Sequence, residues 1–398
     1  MVRVLLALLL LAFVAPSGIA VAAPAQELRG LWVVRTALVS PEAVDRVVDD
    51  AAEAGMNALF VQVRGRGDAF YRSSIVPRST LLERQPRAFD PFARLLARAR
   101  AKGLEVHAWV NVLLVGHFGQ PLPRGHVLLK HPEWAMAPKS EATSALVATG
   151  PRRLGLIMEA GRREGDVEGY YLSPSIPAVG DHLEAVIREL VRSYPIDGLQ
   201  LDFIRYPGPT FDYSRAALEG LRRTGGRGDL LGGPERRRVD WDAYRRQVLT
   251  ALATRLSDAA RVERPGLVVS AAVAPDEAQA VNNKFQDWPV WLASGVLSAL
   301  CPMTYTPDSR LFQEQIEQAR GRAKVGQSIW AGIAAYRLDL AGIVEKVTVA
   351  REAGAQGVVL FSHESFEPGE LRRLRDEAFG RRGLAVHADP PARPAGSP

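Results

Sequence analysis

Two acidic residues, Asp197 and Asp202, stand five positions apart in DGLQLDFIRYP (residues 197–207), a stretch that otherwise resembles a buried strand. In an extended strand Asp197 and Asp202 point to opposite faces and lie about 16 Å apart, so they cannot act on one substrate atom. Asp202 stands at the carboxyl end of this strand, where the active sites of α/β barrels lie. We therefore predict that Asp202 is a catalytic acid and that Asp197 is structural. The alternative is that Asp202 only pairs with Arg205 or Arg64.

Side-chain alternation places further polar residues on the same face. Gln200 lies on the same face of its strand as Asp202. In two earlier strand-like segments, Gln62 shares a face with Arg64, and His107 shares a face with Asn111. Three such strands predict a polar cup that binds a ligand, although His107 alone could also be a core histidine. The predicted substrate-binding residues are Arg64, Gln62, His107, Trp109, Asn111, Arg205, Tyr206, Tyr305 and Trp32.

Hydrolysis of a glycosidic bond requires a second carboxyl group about 5–10 Å from the first. Glu364 directly follows the strand-like VVLFSH and is the preferred second catalytic residue, expected to act as the general acid beside an ionised Asp202. Asp276 instead precedes a predicted helix, where acids commonly cap. Asp276 and Asp308 remain alternatives.

Other chemistries find little support. The chain has no glycine-rich phosphate loop, no G-x-S-x-G motif and no H-E-x-x-H motif, and its seven histidines are scattered. The sequence therefore predicts no cofactor and no metal site, which weakens a third interpretation as a metal-dependent polysaccharide deacetylase.

Eight short apolar runs alternate with longer amphipathic stretches, a pattern typical of repeated βα units. Two of these stretches are predicted helices, at 41–55 and 90–103, and long connections occupy 112–180 and 224–238. We predict an α/β fold, a (β/α)8 TIM barrel with long βα loops. The predicted strands are 28–35, 57–64, 104–111, 196–203, 266–273, 297–305, 328–335 and 357–362.

The two ends of the chain differ in composition from the barrel. Residues 1–23 carry Arg3, an apolar run and small residues, as in a secretory signal peptide, and residues 385–398 form a proline-rich tail that we predict to be disordered. The barrel is assigned to residues 24–384, and the mature protein is expected in the periplasm or outside the cell. No stable membrane insertion is expected.

The net charge of +6 reflects either general surface composition or attraction to anionic cell-wall polymers. A nucleic-acid partner is not expected, because no recognition motif is present. The only cysteine, Cys301, cannot form an intrachain disulfide.

Nine segments in order resemble the bacterial glycosyl-hydrolase-like family 10, a group of exported (β/α)8 barrels. These segments are RGLWV (29–33), FVQVR (60–64), VHAWVN (106–111), HPEW (131–134), YPIDGLQLDFIRYP (194–207), DWPVWLASG (287–295), CPMTY (301–305), GIAAYR (332–337) and GVVLFSHES (357–365). The resemblance implies cleavage of cell-wall glycan, with Asp202 as a catalytic or substrate-anchoring acid and Glu364 in the same site. This chain departs from the family pattern at Phe203, where many relatives carry a second acid, and at Met303, where they carry glutamine.

The sequence thus predicts an exported glycoside hydrolase that cleaves a bacterial polysaccharide, such as the glycan strands of peptidoglycan, by carboxylate acid/base catalysis. The alternative is a carbohydrate-binding barrel without catalytic activity, which Phe203 and Met303 favour.

Overall fold

The computed structural model describes residues 27–165, 167–224, 236–367 and 369–380. The predicted signal peptide and the predicted proline-rich tail lie outside these residues. The strands are β1 (Leu28–Val33), β2 (Ala58–Arg64), β3 (Glu105–Asn111), β4 (Leu114–His117), β5 (Gly169–Tyr171), β6 (Gly198–Asp202), β7 (Val268–Val273), β8 (Ala299–Pro302), β9 (Ser328–Ala334) and β10 (Gly357–Phe361).

Eight of these strands close into a parallel barrel in the order β1-β2-β3-β6-β7-β8-β9-β10, with β10 pairing back to β1. Each barrel strand overlaps one of the eight apolar runs, so the predicted (β/α)8 TIM barrel is confirmed. The helices are α1 (Pro41–Glu53), α2 (Pro91–Ala101), α3 (Val127–Lys130), α4 (Ala142–Val147), α5 (Gly150–Glu164), α6 (Pro177–Ser193), α7 (Arg215–Arg223), α8 (Arg236–Glu263), α9 (Glu277–Asn283), α10 (Trp288–Ala293), α11 (Ser309–Arg322), α12 (Leu340–Glu352) and α13 (Glu370–Leu374).

Local sequence signals explain where the first two barrel helices begin. Ser40 accepts a hydrogen bond from the backbone N–H of Ala43 and so caps α1, and Asp90 caps α2 in the same way through Ala93. A proline occupies the first turn of each helix, where its missing N–H costs nothing. Both predicted helices are confirmed.

Large side chains fill the barrel interior because small residues on neighbouring strands make room for them. The His107 ring stacks on Phe60 with 4.5 Å between ring centroids, and it lies against Gly198 of β6. A Cβ atom at Gly198 would lie 2.0 Å from His107 Nδ1, so only glycine fits at this inward position. The outer faces of the strands pack against the helices in a separate, larger core.

The connection between β3 and β6 forms a small subdomain of its own. Its strands β4 and β5 pair antiparallel, and Leu172 just after β5 donates a backbone hydrogen bond to Leu113. Leu113 in turn donates to the carbonyl of Phe203, which follows β6. This subdomain is therefore fixed to the carboxyl end of β6, beside Asp202.

None of the helices in the described residues is both long enough and apolar enough to cross a membrane.

Candidate active site

A cleft of about 580 Å³ opens at the carboxyl ends of the barrel strands. Asp202 lies in its wall and is 6% exposed. The structure brings six of the predicted substrate-binding residues to the same cleft: Trp32, Gln62, Trp109, Asn111, Arg205 and Tyr305. The alternation of side chains along β2, β3 and β6 therefore located this end of the barrel, although it misplaced Arg64 and His107.

Asp202 is held by two hydrogen-bond donors. Trp109 Nε1 donates to its Oδ2 at 2.9 Å, and the backbone N–H of Phe203 donates to its Oδ1 at 2.6 Å. Burial raises the pKa of Asp202 to about 6, against the lowering effects of the Phe203 N–H, of the Arg205 charge and of the Trp109 N–H. Asp202 is therefore a carboxyl group that can hold a proton close to neutral pH.

Phe203 has a left-handed backbone conformation with φ of 48°, which is uncommon for a bulky residue. Its own N–H contacts the Asp202 carboxylate, and its ring lies 4.6 Å from the guanidinium of Arg205. Strain of this kind is concentrated at functional sites in proteins. In this chain, the strained residue orients both the acid and its neighbouring cation.

Glu168 is the second carboxylate in the cleft, and the sequence reasoning missed it. Its Oε1 accepts a 2.6 Å hydrogen bond from Arg205 Nη2, and its Oε2 accepts one of 2.6 Å from the Tyr171 hydroxyl. Partial burial acts to raise the pKa of Glu168, but the Arg205 charge and these two hydrogen bonds outweigh it and lower that pKa. Glu168 precedes β5 in the long connection, so no barrel-strand pattern pointed to it.

Glu364 does not line the cleft. It is exposed in the short 3₁₀ helix His363–Ser365, where its Oε1 accepts a 2.7 Å hydrogen bond from the Thr36 hydroxyl. It borders a separate cavity of about 310 Å³ together with Asp50 and His363. The structure thus places Glu364 beside Thr36, which lines the cleft, and not in the wall that contains Asp202, so its role as the second catalytic acid stays a prediction.

The two alternative second acids, Asp276 and Asp308, cap helices. Asp276 accepts a hydrogen bond from the backbone N–H of Gln279 and caps α9, and Asp308 caps α11 through the N–H groups of Arg310 and Leu311. Both therefore have the capping role that acids commonly take at helix N-termini.

Arg64 was expected in the cleft and lies outside it. A bulge in β2 pairs Gln62 with Trp109 but Arg64 with Val110, whose side chain belongs to the outer core. Arg64 is fully buried, and its Nη1 donates to the backbone carbonyls of Asn111 and Val112. Simple alternation failed here because one extra residue reverses the face of the side chain that follows it.

Two further predicted binding residues are core residues. His107 is 1% exposed and lies deeper in the barrel than the cleft, against Phe60. Tyr206 is fully buried outside the barrel, where its ring packs edge-on against Phe285 at 5.3 Å. Neither lines the cleft that contains Asp202.

Asp197 has the structural position predicted for it. Its Oδ2 accepts a 2.8 Å hydrogen bond from the backbone N–H of Val106, and its own N–H donates to the Val106 carbonyl. Asp197 therefore fixes the start of β6 against β3, at the opposite end of the barrel from the cleft.

Within the described residues, no group of three or more His, Cys, Asp or Glu side chains is arranged to hold a metal ion. The polar side chains that line the cleft carry carboxylates, guanidinium groups, amides, indole N–H groups, hydroxyls and one imidazole, that of His117. The chemistry available to them is proton transfer and the stabilisation of charge.

Comparison with known proteins agrees with this geometry. The sequence model of the glycosyl hydrolase-like 10 family matches residues 27–348. The chain is 25% identical over 326 residues to the glycosyl hydrolase DigH of Escherichia coli K12, covering 76% of this chain and 67% of that protein. It is 28% identical over 168 residues to the glycosyl hydrolase YngK of Bacillus subtilis, covering 41% of this chain and 28% of that protein.

Solved structures share the fold. The PgaB (BpsB) glycoside hydrolase domain of Bordetella bronchiseptica superposes with a TM-score of 0.68 at 15% identity, over 88% of this chain and 98% of that one. An α-L-fucosidase from Paenibacillus thiaminolyticus gives a TM-score of 0.62 at 14% identity, over 91% of this chain and 51% of that one. Because the family model covers most of the sequence and the barrel is the expected one, this chain belongs to the glycosyl hydrolase-like 10 family.

Proposed function

We propose that this protein is an exported glycoside hydrolase that cleaves glycosidic bonds of a bacterial polysaccharide, with peptidoglycan glycan strands as the first candidate substrate. The observation that carries the proposal is the pair Asp202 and Glu168, two carboxyl groups in one cleft whose pKa values are moved in opposite directions. Such a pair provides a proton donor and an ionised carboxylate at the same pH.

In this mechanism Asp202 donates its proton to the oxygen of the leaving sugar. The N–H groups of Trp109 and Phe203 then stabilise the carboxylate that remains. Glu168 stays ionised and stabilises the positive charge that develops on the sugar ring in the transition state. Arg205, which bonds to Glu168, fixes the position of that carboxylate. A water molecule then adds to the anomeric carbon, and the proton that it releases returns to the Asp202 carboxylate.

The aromatic walls of the cleft supply the binding surface for sugar rings. Trp32, Trp109, Tyr305 and Phe361 line it, and the Trp32 indole is fixed by a 2.6 Å hydrogen bond to Gln200. Apolar faces combined with a few convergent polar groups are the usual composition of a small-molecule site.

The direct test is incubation of the mature protein with peptidoglycan and with neutral and amino-sugar polymers, followed by measurement of new reducing ends. We expect new reducing ends from at least one cell-wall glycan. Binding of a glycan without new reducing ends would establish the alternative, a carbohydrate-binding barrel. That alternative is favoured by Phe203 and Met303, which place two apolar side chains in the cleft where the family resemblance implies polar ones.

The pH dependence of hydrolysis tests the role of Asp202. Because the pKa of Asp202 is about 6, its proton is lost as the pH rises through that value. We expect kcat/KM on unactivated glycans to fall about tenfold per pH unit above about pH 6, since each unit removes tenfold of the acid form. Activated aryl glycosides, whose leaving groups need little protonation, should show a flatter alkaline limb. Equal profiles for the two substrate types would contradict the assignment of Asp202 as proton donor.

Export is proposed from the composition of residues 1–23 alone. We expect the full chain, expressed in a bacterium with a C-terminal tag, to appear outside the cytoplasm with a new N-terminus near Ala23. The variant Leu9→Arg interrupts the apolar run and should leave the unprocessed protein in the cytoplasm. An unprocessed N-terminus on the exported wild-type protein would contradict the cleavage.

A further inference from the structure

Two arginines border the cleft without an ion-pair partner among the described residues. Arg35 follows β1 and Arg66 follows β2, and both line the Asp202 cleft and a side cavity of about 100 Å³ that adjoins it. Other arginines of this fold are paired, such as Arg94 with Asp45 and Arg205 with Glu168. An unpaired guanidinium in a concave site is a natural partner for a carboxylate.

The Arg35 guanidinium is positioned by a hydrogen bond to the buried residue Gln62. Its Nη1 donates to Gln62 Oε1 at 3.2 Å, and Gln62 Nε2 donates to Asn111 Oδ1 at 3.3 Å. A Cβ atom at Gly65 would lie 2.8 Å from Arg35 Cδ, so glycine is what allows the arginine to lie across β2. The guanidinium is therefore fixed in place, with Nε and Nη2 not used by any described acceptor.

Arg66 is placed on the other side of the same opening. Its Nη1 donates to Gln120 Oε1, and its backbone N–H donates to Asp68 Oδ1 at 3.0 Å. Asp68 and His117 also line the side cavity, and the charges of Asp68 and Glu364 act on Arg35. Burial, followed by the charge of Arg66, lowers the pKa of Arg35, so a bound anion would relieve the repulsion between the two cations.

We infer that Arg35 and Arg66 form a subsite for the carboxylate of an acidic sugar, so that the substrate is a glycan carrying carboxyl groups. This inference rests on the proposed function of the same cleft. Arg35 follows β1, which is three strand positions from β6, with neighbouring strands about 4.8 Å apart. The three spacings come to about 14 Å, and Arg35 and Asp202 line the same cleft, so the subsite would hold a sugar of the same bound chain that contains the bond protonated by Asp202, with its acidic substituent in the side cavity.

The test is calorimetric binding to the full-length Asp202→Asn variant, which separates binding from hydrolysis. The probes are a tetrasaccharide of alternating N-acetylglucosamine and N-acetylmuramic acid, and the same tetrasaccharide after reduction of its carboxyl groups to alcohols. We expect about tenfold or more tighter binding of the carboxylate form at low salt, and a smaller ratio at high salt, because charged hydrogen bonds are strong and exposed charges are screened.

Adding Arg35→Gln and Arg66→Gln should remove this preference while leaving the affinity for the reduced tetrasaccharide unchanged. Arg66→Gln alone should reduce the preference for the carboxylate form. Because Arg66 is partly exposed, this variant keeps the experiment informative if the Arg35 variant does not fold. The matched control is Arg100→Gln, the same charge change at the exposed end of α2, which borders the opposite end of the barrel.

Equal affinity for the two tetrasaccharides, no binding of either one, or a preference that survives both substitutions would overturn the subsite. Failure of the wild-type protein to release reducing ends while the preference persists would instead refute the hydrolytic function and leave the subsite standing.

Discussion

Replacing Asp202 by Asn is expected to lower the rate of glycan hydrolysis by about 10²–10⁴-fold, the usual contribution of a general acid. Asparagine keeps the shape of the side chain and can still accept the hydrogen bond from Trp109, but it has no proton of suitable acidity to donate. The measurement is the rate of reducing-end formation at a pH near 6. Retention of more than a tenth of the wild-type rate would exclude Asp202 as the proton donor.

The stability of the same variant, relative to the wild type, should be higher above pH 6 than at low pH. The folded protein binds the Asp202 proton more tightly than the unfolded chain, because the pKa is raised from 3.8 to about 6. The resulting destabilisation is absent below the unfolded pKa, grows between the two values and is complete above about pH 6. Asparagine has one acceptor oxygen for the two donors Trp109 and Phe203, so it loses a hydrogen bond at every pH. We therefore expect the free energy of unfolding of Asp202→Asn, relative to wild type, to be about 1–3 kcal/mol higher at pH 8 than at pH 3.

Asp197→Asn is the matched control for this experiment. It makes the same chemical change in the same strand, but at a residue that binds the backbone of Val106 rather than facing the cleft. We expect hydrolysis within a few-fold of wild type and a stability loss of no more than about 1 kcal/mol, because the amide oxygen of asparagine can still accept the hydrogen bond from Val106. Equal loss of activity in both folded variants would remove the distinction between the two acids.

Replacing Glu168 by Gln is expected to reduce kcat by about 10²–10³-fold, because the developing positive charge loses its anionic partner. The substitution also removes a negative charge that raises the pKa of Asp202 and releases the Arg205 charge that lowers it. Both changes lower the pKa of Asp202, so the alkaline limb of the pH profile should move to lower pH. A purely structural role for Glu168 would reduce stability and move that limb, but it would leave kcat at the pH optimum within a few-fold of wild type.

Glu364→Gln provides the comparison, since Glu364 lies outside the cleft and bonds to Thr36. We expect its hydrolysis rate to remain within a few-fold of wild type. If Glu364→Gln abolished activity while Glu168→Gln did not, the second catalytic carboxylate would be Glu364, as the sequence alone had indicated.

The barrel could be predicted from sequence because each strand is a run of apolar residues bounded by helix signals such as Ser40 and Asp90. Parallel strands of a barrel share one active end, so the alternation within β6 was enough to place Asp202 there. Asp197 followed from the same alternation. Periodicity determines a structure of this kind because every strand has the same relation to its neighbours.

The prediction failed where the regular alternation ends. The bulge in β2 turned Arg64 outward, and no feature of FVQVR distinguishes a bulged strand from a regular one. Tyr206 and Glu364 stand beyond the last residues of β6 and β10, where side-chain direction is set by loop geometry. Glu168 comes from a connection between strands, so its approach to Asp202 depends on the pairing of β4 with β5.

The rings of Phe60, His107 and Trp330 close the barrel below the cleft, with centroids 4.5–5.6 Å apart. A polymer therefore cannot thread through the barrel, and both halves of a cleaved chain must leave by the mouth they entered. A long glycan bound in this cleft would have to lie across the rim, in contact with residues that follow β1, β2 and β8. In the proposed hydrolysis, the bond would therefore break in a short segment of the polymer that contacts these rings, while the remainder of the polymer stays in solvent.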